Sequence, residues 1–275
     1  MIVKLARPVQ PRPWRALALA SATITLASMP SFADAPSVAL TKAAKMGATL
    51  WLAAGEGGEA GESGAVSDVS DDVAYLARLS IVEGHMVASL DLYAKGLVDE
   101  AIALSYHPEA EMMDEVRASL TAHAAADITP SMTAFSQALE SGATADQARA
   151  ALAGVQAAIA AAAAAEADEY RTRFDAVIAL VRAAASEYAD ATEGGVVGDV
   201  MGFHEAHAFI EVARNLVSDL AATPDTQAAA QKVLAALQGA DEAFDDMTTA
   251  APEARDPAIL LAVAAKVELA ASSVR

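Results

Sequence analysis

The sequence predicts an all-α fold: one helical-bundle domain of about eight to ten helices arranged as hairpins. Three observations predict it. Alanine dominates the composition, and Ala loses least on entering a helix. Aromatic residues make up only 5% of the chain, and runs of β-branched residues are few. Glycine and proline fall at intervals that bound segments of helical length, with no alternating strand pattern between them.

Residues 1–33 read as an export signal. Lys4, Arg7, Arg12 and Arg15 form a positive leader, followed by the apolar run Ala16–Ala27, with Ser31-Phe32-Ala33 or Ala33-Asp34-Ala35 as the cleavage positions. The run is shorter than the ~20 residues a membrane span requires. No Cys follows it to carry a lipid, and the paired arginines of a twin-arginine signal are missing. The expectation is a periplasmic protein with no membrane insertion after cleavage.

Residues 34–66 form an N-terminal segment, with a short stretch at Val38–Leu52 and a flexible acidic loop at Gly55–Gly64. Glu56, Glu59 and Glu62 of that loop can meet a cation. However, the alternating oxygen ligands of an EF-hand are not there, and a connector is the expected role.

The helical domain spans 67–275. Asp68–Lys95 is a helix ending at Gly96, and Leu97–Ser105 follows. Pro108 suits the first turn of Glu109–Ala124. Thr129-Pro130 opens a helix that ends near Gly142, and Thr144-x-x-Gln147 is a capping box opening a long tract. That tract would outrun a compact domain as one helix, so a break is expected near Ala165–Tyr170. It stops at Glu193-Gly194-Gly195, and Asp199–Ala222, Thr223–Gln238, Ala240–Met247 and Asp256–Ser272 complete the set. A faint echo links Tyr93…Gly96…Tyr106-His107 to Tyr188…Gly194…Phe203-His204.

Charge narrows the function. The chain holds 18 Lys+Arg and 37 Asp+Glu. The first 33 residues hold four basic and no acidic ones, so the remainder carries 14 against 37, a net charge of −23. Such a surface repels nucleic acid and anionic lipid. With no cysteine, disulfides, thiolate metal sites and covalent c-type haem are excluded. No nucleophile turn, P-loop or dinucleotide fingerprint occurs, so nothing singles out an enzyme.

Two ionisable residues stand on apolar stripes. Val73, Leu76, Leu79, Met86, Leu90 and Tyr93 line one stripe with Glu83 among them. Val200, Phe203, Ile210 and Val217 line another with His207 among them. A carboxylate facing a core must be paired, protonated or bound to a metal. His204, His207 and Glu211 share one helical face at i, i+3 and i+7. Imidazole with carboxylate suits Fe, Zn or Cu, and bundles build such sites from facing helices. The candidate ligands of one transition-metal ion are therefore His204, His207 and Glu83, joined by Glu211 or His85. The alternatives are a core histidine at His207 and an ion pair of Glu83 with Arg78, Arg182 or Arg214. The spacing His-Glu-x-His is not the His-Glu-x-x-His of zinc proteases. His107 reads as a helix-entry residue and His123 as solvent-facing.

Gly202-Phe203-His204-Glu205-Ala206-His207 resembles the Gly-x-His-x-x-Glu motif of imelysin-like proteins. The resemblance implies an exported, all-helical protein linked to iron uptake or metal binding, with His204 as a ligand. His207 stands where that motif has Glu. The whole chain also looks like exported helical proteins of Alphaproteobacteria. Two functions follow as expectations: a periplasmic protein that binds a transition metal for uptake or delivery, or a metal-free scaffold that binds a ligand or an envelope protein.

Overall fold

The computed structural model describes residues 62, 64–166, 169–244, 246–249 and 251–274. All of them lie within one compact unit, and they form helices without strands. The segment Val38–Leu52 falls outside the described residues, as does most of the Gly55–Gly64 loop.

The helices are α1 (Asp71–Ala94), α2 (Val98–Ser105), α3 (His107–Glu111), α4 (Met113–Ala122), α5 (Thr129–Glu140), α6 (Ala145–Ala163), α7 (Tyr170–Ala191), α8 (Val200–Ala221), α9 (Gln227–Leu237) and α10 (Ala258–Ala271). Local chemistry explains their ends. Ser70 caps α1 through the Val73 N–H. At its other end Gly96 takes φ +83° and the Leu97 N–H reaches back to the Leu92 carbonyl, a glycine stop. Thr144 and Gln147 form the reciprocal capping box of α6. Asp199 caps α8 through the Met201 and Gly202 N–H groups.

Two boundaries differ from expectation. The segment expected as one helix over Glu109–Ala124 is two, because Met112 leaves helical geometry at φ −141°. The break expected near Ala165–Tyr170 is present, as a 3₁₀ turn at Ala164–Glu166 with the next helix starting at Tyr170. The helix expected over Ala240–Met247 is instead a 3₁₀ turn at Gln238–Glu242.

Helices α7, α8, α9 and α10 close a four-helix ring: α7 packs on α8, α8 on α9, α9 on α10, and α10 returns to α7. The long helix α1 lies across α7 and α8, and it also contacts α2 and α6. This places α1 and α8 at the centre, and both are buried over most of their circumference. Gly84 lets them approach closely: a Cβ there would sit 2.2 Å from Phe209 Cδ1. Among the described residues, no helix is long and apolar enough to cross a membrane.

Candidate metal centre

The α1–α8 contact holds the most highly charged interior of the protein. His85 on α1 is 1% exposed, and Glu62, Glu187 on α7 and Glu205 on α8 are 4%, 3% and 5% exposed. The His85 Nδ1 lies 2.9 Å from the Ile81 carbonyl. A carbonyl can only accept, so Nδ1 carries the proton and Nε2 is the atom presented to the site. Three carboxylates face that atom: Glu205 Oε1 at 3.1 Å, Glu62 Oε1 at 3.5 Å and Glu111 Oε2 at 3.5 Å. His107 at the start of α3 adds a second imidazole, its Nδ1 3.6 Å from both Glu111 Oε1 and Glu205 Oε1. His107 and Glu111 are partly exposed, so α3 forms the side of the site open to solvent.

These contacts are close but poorly aligned. Glu205 Oε1 makes no hydrogen bond, although it lies 3.1 Å from an imidazole nitrogen; Glu62 Oε2 and Glu187 Oε1 are also buried without a hydrogen-bond partner. An unsatisfied buried polar atom costs about 1–3 kcal/mol, and more when charged. Protonation or a bound cation would relieve that cost. Burial pushes the Glu187 carboxyl up to about 9, with Glu205 and Glu62 adding to the rise. Burial likewise raises Glu62 to about 7, against the opposing pull of His85. Burial opposes a charged His85, yet Glu62, Glu205 and Glu111 together hold its pKa well above the usual histidine range. Protonation thus neutralises carboxyls that water cannot reach, and a bound cation would do the same.

The donor atoms of His85, His107 and Glu205 lie within 4.8 Å of one another, as do those of Glu62, His85 and Glu111. Imidazole nitrogen with carboxylate oxygen is a donor set for first-row transition metals, with Fe and Mn favoured as carboxylates outnumber imidazoles. A third group, Asp72, His123 and Glu166, stands at the N-terminal end of α1, with His123 stacked on Tyr75 at 3.9 Å.

The structure separates most of the residues the sequence singles out. His85 is in the centre. His204 is buried, but its Nδ1 donates to Asp91 Oδ2 at 2.7 Å. His207 is partly buried against the Phe244 ring, and that burial lowers its pKa. Glu211 pairs with Arg214 at 2.6 Å. Glu83 lies on the less buried arc of α1 with Val87 and Leu90 and accepts from Gln156 at 2.9 Å, not from an arginine. Among the described residues, none of the three groups of converging donors includes His204, His207, Glu83 or Glu211. The physical reason is that α1 and α8 are buried nearly all round, so the stripe with the most apolar residues is not the face that meets the site. Glu205, one step round α8 from His204, meets it instead.

Three further residues of the centre were not singled out as ligands by the sequence, His107, Glu111 and Glu205, and Glu62 was expected only as a loop carboxylate that can meet a cation. Glu187 adds a fifth ionisable group. His107-x-x-x-Glu111 carried a usable signal, since i and i+4 share a helical face. Glu187 carried none, and nothing local ties Glu62 to His85, because only the fold brings these residues together.

The fold and site define a helical-bundle protein with a buried carboxylate–imidazole centre. Residues 163–274, which contain the ring α7–α10, match the iron permease-associated 4-helix bundle domain. This match, and not the imelysin-like resemblance, is the family likeness the comparisons support. It covers Glu187 and Glu205 but not α1 and α3, so the centre lies where the matched bundle meets the N-terminal helices. No curated protein and no solved structure matches the chain.

Proposed function

We propose that this protein binds a transition-metal ion, with iron the leading candidate, at His85, Glu205, Glu62 and Glu111, with His107 at its solvent side, and that it serves metal uptake or delivery in the cell envelope. One observation carries the reading: an imidazole nitrogen oriented by a backbone carbonyl faces three carboxylates, while buried oxygens of Glu62 and Glu205 lack hydrogen bonds. The match of residues 163–274 to an iron permease-associated domain supports the iron assignment. The signal-like residues 1–33 support a periplasmic location. His204 and His207 serve packing and pairing in this proposal, and the ligand role passes to Glu205 between them.

The test is metal binding by untagged protein stripped with chelator. At a ligand concentration of 100 times Kd, binding adds about 2.7 kcal/mol, a rise in Tm of roughly 5–10 °C for a domain of this size. Fe(II) under anaerobic conditions, or Mn(II), is expected to produce that rise in the wild type, and Glu205→Gln to abolish it. His204→Ala and His207→Ala are expected to retain it. Absence of both bound metal and thermal shift in the wild type overturns the proposal.

A second reading, docking to an envelope protein, rests on another face. Leu261 and Leu269 of α10 are 55% and 76% exposed, and Lys232 and Lys266 line the shallow groove beside Leu269. In a chain this acidic, an apolar patch flanked by lysines suits a protein partner such as a membrane permease. Leu269→Asp would then abolish co-purification with that permease while leaving metal binding intact.

A further inference from the structure

The six ionisable side chains of the centre are not arranged around a single point. Glu111 faces both imidazoles with different oxygens: Oε2 lies 3.5 Å from His85 Nε2, and Oε1 lies 3.6 Å from His107 Nδ1. The two rings stand 6.1 Å apart at 64°. One imidazole nitrogen ligates one ion, so two imidazoles served by opposite oxygens of one carboxylate form the frame of two adjacent ions with a bridge between them. Glu205 Oε1, which makes no hydrogen bond, sits within 3.1 Å of one imidazole and 3.6 Å of the other. Of the two imidazoles Glu62 pairs with His85, and its oxygen also lies within 4.8 Å of one on Glu111. Charge counting agrees. With all four carboxyls ionised by metal binding, Glu62, Glu111, Glu187 and Glu205 would carry four negative charges, and one divalent ion would leave half of them uncompensated. Two divalent ions balance all four.

We infer that the centre is dinuclear: His85 and Glu62 hold one first-row divalent ion, His107 holds a second, and Glu111 bridges them with Glu205 shared. This rests on the metal-binding reading above and extends it from one ion to two. In two-metal sites the ions stand ~3.5–4 Å apart, a separation one carboxylate spans. Helical bundles build such pairs from four carboxylates and two histidines carried on facing helices. Here the same complement comes from α1, α3, α7, α8 and the residue preceding them, Glu62. The arrangement makes the partly exposed His107–Glu111 half the entry point and the His85–Glu62 half the deeper position.

The test uses the untagged full chain, stripped of metal and titrated with Mn(II), with bound ions counted by native mass spectrometry and Mn–Mn coupling read by electron paramagnetic resonance. The expected result is two ions per chain with loss of the isolated six-line Mn(II) signal. His107→Ala is expected to bind one ion and regain that signal, with helicity checked by circular dichroism. One ion on the wild-type chain overturns the dinuclear inference and leaves the single-metal proposal standing. No bound ion overturns both. Two ions that give uncoupled spectra, or a His107→Ala chain that still binds two, contradict the shared bridge. Because the wild-type count decides by itself, a variant that fails to fold does not rescue the inference.

Discussion

Gly84 and Phe209 touch so closely that any side chain at position 84 collides with the ring: a Cβ would stand 2.2 Å from Cδ1 and 2.5 Å from Cε1. The contact sets the approach of α1 to α8, and so the 3.1 Å between His85 and Glu205 in the adjoining turns. Phe209 also packs on the His85 ring, with centroids 5.7 Å apart.

Gly84→Ala therefore tests packing and site together. Overpacking costs about 1–3 kcal/mol, offset by the ~0.5–1 kcal/mol that Ala gains over Gly inside a helix. The expected outcome is a modestly lower Tm with a disproportionate loss of metal affinity, measured by calorimetric titration. Unchanged affinity would show that helix spacing does not control the site.

Glu187→Gln separates stability from function. Glu187 is 3% exposed and its Oε1 has no hydrogen-bond partner, so the carboxylate is retained at a cost. An amide of the same shape cannot ionise, so the unfolded chain no longer gains by releasing a proton that burial holds on Glu187 in the fold. Metal-free protein at pH 8 should melt higher by roughly 1–2 kcal/mol equivalent, while metal affinity falls. A variant less stable than wild type in the metal-free state would mean that Glu187 has a structural partner.

Asp91 predicts an acid-side loss of stability. Burial acts to raise its pKa, but the hydrogen bonds from His204 and Lys95 override it and hold the carboxyl at about 2. A folded pKa below the unfolded value gives stability that is present above pH ~4 and lost as pH falls toward 2. With the carboxylate about a third exposed, screening reduces the contribution to about 1–2 kcal/mol. Asp91→Asn should lower Tm at pH 7 and flatten the dependence between pH 4 and 2, as followed by circular dichroism. A variant that keeps the wild-type slope contradicts the assignment.

The helical fold was legible because its signals are local: Gly96, the Thr144–Gln147 box and the Asp199 cap each act within four residues. Only where termination depended on packing did the reading slip, as at Met112 and in the 3₁₀ turn after Leu237. The site was mostly illegible for the opposite reason. His85 was in view, but its partners come from four separate stretches of chain, and position 62 meets position 205 only in the folded state. A stripe argument also presumes one buried face. On α8 both His204 and Glu205 are buried, so period alone could not tell which of them faces α1.

The most direct measurement is anomalous diffraction from crystals of the untagged protein grown or soaked with iron or Mn(II), collected at the absorption edge of the metal. The account predicts a peak ~2 Å from both His85 Nε2 and a Glu205 carboxylate oxygen, with Glu62 and Glu111 completing its surroundings. A peak held instead by His204, His207 and Glu83, or no peak anywhere in the α1–α8 contact, would contradict it.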